Sequence, residues 1–168
     1  MNSNEAYYFK ILLTNGISEG YNQWLDSYLE TEEPLSDIVL NLCGADINQT
    51  ITYLHNYSAE YHLDQKIVCR LLREYLKKEY DAKRLSMEEV CCLMYRFAIT
   101  HGDPADYEFD SEVWNDMFYI DEYYSLAKEG VISMEKFEKA FNSYLNHGIS
   151  LFDQQSSKSL LEIINKYK

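Results

Sequence analysis

The chain has 168 residues, with 28 aspartates and glutamates against 15 lysines and arginines, for a formal net charge of -13. Phosphate contacts supply most of the affinity for nucleic acid, so this surplus argues against direct nucleic-acid binding and favours a basic protein as partner, though it also simply keeps a small protein soluble. The length suits one domain able to bury roughly 68 to 70% of its unfolded surface, and charges interrupt every apolar run well short of the ~18 residues of a membrane span, so no membrane contact is expected.

Two prolines and six glycines punctuate a chain whose apolar residues recur at i, i+3, i+4 and i+7, the period of a helix with one buried face. Glu5 to Leu13 reads as a short helix stopped by Asn15-Gly16. Ser18 to Glu32 reads as a second, burying Tyr21, Trp24, Leu25, Tyr28 and Leu29. Pro34 suits the start of a third that runs to about Leu42 and closes at Gly44. Asp46 caps a fourth carrying Ile47, Ile51, Leu54 and Tyr57 inward, to about Glu60.

Asp64 caps the clearest helix, to Tyr80, with Ile67, Val68, Leu71, Leu72, Tyr75 and Leu76 as its buried stripe and Lys66, Arg70, Arg73, Lys77 and Lys78 outside. Ser86 with Glu89 forms a capping box for the next, whose inner face is Val90, Leu93, Met94, Phe97 and Ala98. Val113 to Lys128 makes a long aromatic helix ended by Gly130. Ser133 caps one that buries Phe137, Ala140, Phe141, Tyr144 and Leu145 and stops at Gly148. Residues 149–156 read as a linker and Leu160 to Tyr167 as a final short helix.

The expectation is therefore an all-α fold, an irregular bundle of about eight or nine helices in a single domain over residues 1–168. Within it, 1–34 form an N-terminal helix pair, 35–148 the helical core, and 149–168 the linker and last helix. Leu85-Ser86-Met87-Glu88 and Ile132-Ser133-Met134-Glu135 open two helices about 47 residues apart, a spacing that suits stacked helical hairpins and equally follows from shared capping chemistry.

No catalytic template is met. HExxH, GxSxG, GxGxxG and the GxxxxGKS/T phosphate loop are absent, and no enzymatic activity or cofactor is expected. Cys43, Cys69, Cys91 and Cys92 form no CxxC pair and read as buried thiols of a reducing cytosol. The N-terminus lacks the basic region of a signal peptide, which agrees with a cytoplasmic location. A calcium loop starting at Asp106 would put Ser111 and Met117 where glycine and a bidentate glutamate belong, so no metal is expected either.

The most unusual segment runs from Asp103 to Glu122, with eight acids in a stretch, Phe97 to Ala127, free of lysine and arginine. Aromatic rings alternate with the acids, and rings beside carboxylates supply rigid apolar contact with a negative potential, the pair of features that lets a protein surface occupy a basic groove. Asp103, Asp106, Tyr107, Glu108, Asp110, Glu112, Asp116 and Tyr119 are accordingly the candidate partner-binding residues. Acids that merely solvate a loop and helix would give the same composition.

Tyr53-Leu54-His55-Asn56-Tyr57, Met94-Tyr95-Arg96, His101-Gly102-Asp103-Pro104 and Asp121-Glu122-Tyr123-Tyr124-Ser125-Leu126-Ala127-Lys128 make the region from about Leu35 to Gly148 resemble a family of small acidic all-helical bacterial domains of uncharacterised biochemistry. Members of that sort are often associated with polymorphic toxin systems. The resemblance implies an immunity protein, an inhibitor of a toxin domain that is basic if it is a nuclease. A helical adaptor that binds a peptide or protein without inhibiting it is the alternative; the oligomeric state stays open.

Overall fold

A computed structural model describes residues 1–31, 34, 36–60, 62–100 and 111–151, the side chains of 111 and 112 excepted. Among the described residues the fold is all-helical, with eight helices and no strand. No described helix is long and apolar enough to cross a membrane. The chain divides into two compact units, Met1–Val68 with Thr100–Tyr107, and Cys69–Ile99 with Glu108–Lys168.

Unit 1 is organised around α1 (Ser3–Thr14). Its first turn is fixed by a reciprocal capping box: the Glu5 amide donates to Asn2 Oδ1 at 3.0 Å and the Asn2 amide to Glu5 Oε2 at 2.9 Å. Ala6, Tyr7, Phe9, Lys10, Ile11, Leu12 and Leu13 are all buried, so α1 is covered nearly all round, as a central helix must be. Lys10 is accommodated with its ammonium 4.9 Å from the centre of the Tyr7 ring.

Helix α4 (Ile47–Glu60) lies along α1. Asp46 caps it as expected, accepting from the Asn48 and Gln49 amides at 2.9 Å while Gln49 Oε1 accepts from the Asp46 amide. Its buried face differs from the expected one. Thr50, Leu54 and Ser58 are inside, whereas Ile51 and Tyr57 are half-buried and Ile47 is 50% exposed. Two of the three buried side chains are small, which lets the two backbones approach closely.

Helix α2 (Glu19–Thr31) and helix α3 (Asp37–Cys43) are thinly covered. Of the five residues expected inside α2 only Tyr21 is buried; Trp24, Leu25 and Tyr28 are half-buried and Leu29 is 44% exposed. Helix α3 starts later than expected, because extended Ser36 (ψ 153°) occupies its N-cap and Pro34 sits in a bend before it. The core of unit 1 gathers Ala6, Phe9, Leu13, Tyr21, Leu42 and Leu54, with Trp24, Leu25, Ile38 and Ile51 at its edge.

Helix α5 (Gln65–Asp81) carries the chain onward, capped by Asp64 through the Lys66 amide at 2.9 Å. Val68, Leu72 and Leu76 are fully buried at one helical spacing, Cys69 joins them, and Ile67, Leu71 and Tyr75 flank the stripe. Unit 2 adds α6 (Met87–Ile99), α7 (Ser111–Lys128) and α8 (Met134–His147), with α7 packed against both others. In α6 Cys91 takes the inward place expected for Leu93, which is half-buried. In α8 the buried face is Phe137, Ala140, Phe141, Tyr144 and Leu145, as its spacing implies.

The paired motifs at residues 85–88 and 132–135 sit in two turns with the same bonds. At α5–α6, Lys83 lies in the left-handed region (φ 57°), its amide donates to Tyr80 O, and the Arg84 amide to Glu79 O. At α7–α8, Gly130 (φ 74°) donates to Ala127 O and Val131 to Leu126 O. Each turn is a Schellman stop followed two residues later by a serine cap. The caps then diverge: the Ser86 amide reaches Glu89 Oε2 at 2.7 Å, while the equivalent place after Ser133 is Lys136, which can only donate its amide to the serine hydroxyl.

Candidate protein-docking surface

Of the eight candidate contact residues, Asp103, Asp106, Tyr107, Glu108 and Asp110 lie outside the described residues, and Glu112 belongs to the first turn of α7 with its side chain outside the description. Tyr119 is half-buried, its ring 5.1 Å from Phe118 at 78°. Asp116 is a correction. It is only 8% exposed and accepts from the Leu151 amide at 2.7 Å and the Ser150 hydroxyl at 3.0 Å, so its charge is spent inside unit 2. The spacing explains this, because Asp116 shares a helical line with buried Ile120, Tyr123 and Ala127. Those two bonds also dock residues 150–151, expected in a linker, with Leu151 buried; residues 152–168 lie outside the described residues.

The cysteines divide evenly. Cys69 and Cys91 are buried as expected, while Cys43 and Cys92 are exposed. The Cys69 thiol donates to Val113 O at 3.5 Å and lies 3.8 Å from the Tyr144 hydroxyl. Burial pushes Cys69 up to about 11 and holds Tyr144 well above its ordinary value, so both remain protonated at neutral pH. Burial raises Cys91, and burial with the Asp121 carboxylate beside it raises Cys92. None of these groups is poised as a nucleophile.

Two cations of the basic face of α5 meet acids of the same helix, while Arg73, expected outside, is half-buried with its guanidinium 5.9 Å from the centre of the Tyr144 ring. Arg70 meets Glu74 at 3.8 Å, Lys77 bonds Asp81, and Arg84 grips Glu79 through two nitrogens at 2.6 and 2.7 Å. An open recess of about 550 Å³ at the α5–α6 turn is lined by Asp81, Lys83, Arg84 and Glu89 among others. Its carboxylates are already engaged: Asp81 by Lys77, and Glu89, held below the ordinary carboxylate range by the Ser86 amide, as a cap.

Charge is distributed very unequally between the units. Unit 1 contains 12 acids and two cations, Lys10 and Lys66, a net -10, whereas unit 2 contains 16 acids and 13 cations, a net -3. From Ile11 to Gln65 no lysine or arginine occurs, a run of 55 residues with nine acids, longer than the 31-residue stretch around Asp103 to Glu122. Because one of the two cations, Lys10, is buried, the surface of unit 1 is almost purely negative.

On α2 this surface takes a defined form. At 100° per residue Glu19, Gln23, Asp26 and Glu30 fall on one line, and all four are exposed. Exposed Leu29 lies about 90° round the helix from this line, and half-buried Leu25 about 130°, next to the buried side of α2. In both α2 and α3 an exposed leucine stands one turn after an exposed aspartate: Leu29 after Asp26, and Leu40, 55% exposed, after Asp37. Ile47, beside exposed Asp46, repeats the pairing at the start of α4. Acid and apolar surface therefore occur together, and the sequence signal for it was the cation-free run. No protein-family model, curated protein or solved structure matches this chain.

Proposed function

We propose that this chain acts without catalysis, by binding a protein with a basic face, in the manner of an immunity-type inhibitor that covers the working surface of a toxin domain. The observation that carries the reading is the concentration of charge in unit 1, a net -10 with exposed leucines and isoleucine set among the acids. Such a surface accelerates encounter with a cationic partner and repels polyanions, and the apolar side chains give the encounter complex something to bury. Inhibition needs no more than that, because occupying a basic active-site groove excludes its substrate.

The test begins with a pulldown on the full chain at low and at high salt, followed by titration of the recovered partner's own activity. A basic partner that is released as salt screens the charges, and whose activity falls to completion at one equivalent of this chain, is the expected result. A partner that stays fully active when saturated would refute inhibition and leave an adaptor. A partner retained equally at high salt, with no basic face, would remove the electrostatic basis altogether.

A further inference from the structure

We propose that α2 is the docking element and that its occupant is a lysine- or arginine-rich amphipathic helix of the partner protein, an inference that rests on the protein-binding reading above. Helix α2 is an unfinished interface. Its apolar side chains occur at the spacing of a core-facing stripe, yet only Tyr21 is buried, and Leu25 and Leu29 continue the stripe out toward solvent. Trp24 lies at the boundary, its ring 4.9 Å from Tyr28 and 5.7 Å from Phe9.

The shape of the surface selects the occupant. The acids Glu19, Asp26 and Glu30 run straight along α2 for three turns, roughly 16 Å at 1.5 Å per residue, with exposed Leu29 about 90° round the helix from them. A rod carrying cations on one line and leucine-like residues on the next is complementary to both, in the way amphipathic helices lie in grooves. Charge removes the other candidates. Nucleic acid and anionic lipid would meet a surface with no cation from Ile11 to Gln65, and a second copy would bring a like-charged face against this one.

The probe is a fluorescently labelled 18-residue peptide of leucine and lysine with helical periodicity, titrated by anisotropy against the full chain, with a leucine and glutamate peptide of the same pattern as counterpart. The triple variant Glu19→Gln, Asp26→Asn, Glu30→Gln is expected to weaken binding of the lysine peptide about tenfold at low salt. A control triple of the same charge change in unit 2, Glu129→Gln, Glu135→Gln, Glu138→Gln, all exposed positions, is expected to change it less than about twofold. Leu29→Ala is expected to weaken it by roughly threefold at low and high salt alike, because burial of an apolar side chain is not screened. Circular dichroism on each variant checks that the helix content is unchanged.

Equal losses from the two triples would show attraction by net charge alone and overturn the assignment, as would binding of the glutamate peptide or of phosphatidylserine vesicles. A dimer in sedimentation that Leu29→Ala returns to monomer would replace the partner helix by a second copy. Failure of α2 as the docking element and failure of inhibition give different results. If the α2 triple leaves the pulled-down partner inhibited, α2 falls and the inhibitor reading stands; if the peptide docks on α2 while that partner stays active, the reverse holds.

Discussion

Unit 1 and unit 2 are made of similar helices, yet their charges are managed in different ways. In unit 2 cations stand beside acids: Arg70 with Glu74, Lys77 with Asp81, Arg84 with Glu79, and Lys128 with Glu88 at 3.0 Å. In unit 1 the acids have almost no cation near in sequence, and α2 leaves a large part of its apolar stripe half covered. Exposed ion pairs contribute little to stability, so the difference is chiefly one of availability. Among the described residues unit 2 pairs part of its charge locally, and most acids of unit 1 are exposed. Such a surface is what the proposed cationic partner would meet, and by itself it also favours solubility.

The largest expected effects test whether the two cores differ as their surfaces do. Phe141 is fully buried in unit 2, its ring 5.3 Å from Tyr80 and 5.9 Å from Phe137, and Phe141→Ala should cost about 3–5 kcal/mol in urea unfolding. Leu54 is equally buried in unit 1, on the α4 face that meets α1, and Leu54→Ala should cost about 2–5 kcal/mol. A cost for Leu54 well under about 2 kcal/mol would mean that the α1–α4 seam closes over the gap. Looseness in unit 1 would then extend inward from α2 and sharpen the contrast; equal costs would confine it to the surface.

A middle-sized effect comes from the two matching turns of unit 2. Lys83 holds the left-handed conformation that Gly130 holds at the equivalent place, and a side chain there costs roughly 1–2 kcal/mol. Lys83→Gly should therefore stabilise the protein by about 1 kcal/mol, after the extra chain entropy of glycine is deducted, and Gly130→Ala should destabilise it by a similar amount. A Cβ on Gly130 would meet nothing within 4 Å, so the loss would report the backbone alone. Thermal unfolding of both variants reads the pair, and changes of the same sign would break the equivalence of the turns.

How much of this was legible from the residues varies with what each element has to bury. Helix α8 was read correctly because its apolar positions lie on one face that is wholly covered. The faces of α2 and α4 were misread because periodicity shows which residues could be inside and not whether another helix arrives to cover them; Leu29 and Ile47 fit the pattern and stand in solvent. Ser58 and Thr50 lie inside without a signal in the sequence, because small polar residues add nothing to the hydrophobic pattern. The charge of Asp116 points to the surface, whereas its register with Ile120 and Tyr123 places it inside. The acid ridge of α2 gives a weak local signal because its acids are spaced along the long cation-free run from Ile11 to Gln65 and not crowded as they are between Asp103 and Glu122.

The smallest effect, and the most specific to unit 2, is in acid. Glu79 is held below the ordinary carboxylate range first by its bonds from Arg84, at 2.6 and 2.7 Å. A carboxylate whose folded value is depressed contributes stability above its unfolded value, near 4.5, and loses that contribution as pH falls through the folded one. With Arg84 half exposed, the pair should contribute no more than about 0.2–1 kcal/mol. Glu79→Gln should therefore lower the urea midpoint slightly at pH 7 and coincide with the parent protein once the glutamate is protonated in both folded and unfolded chains. A gap that persisted at low pH would trace the loss to packing, because protonation would by then have removed the charge from both proteins. The parallel change in unit 1, Glu30→Gln, removes one member of a row of like charges from the last turn of α2, where the helix dipole also disfavours an acid, and leaves no lysine or arginine in residues 11–65 without its partner, since that run contains none. It should raise the midpoint at low salt if it moves it at all, and added salt should erase the gain by screening the remaining acids. Opposite signs for two chemically identical substitutions would be the thermodynamic signature of one unit that pairs its charges and another in which like charges repel.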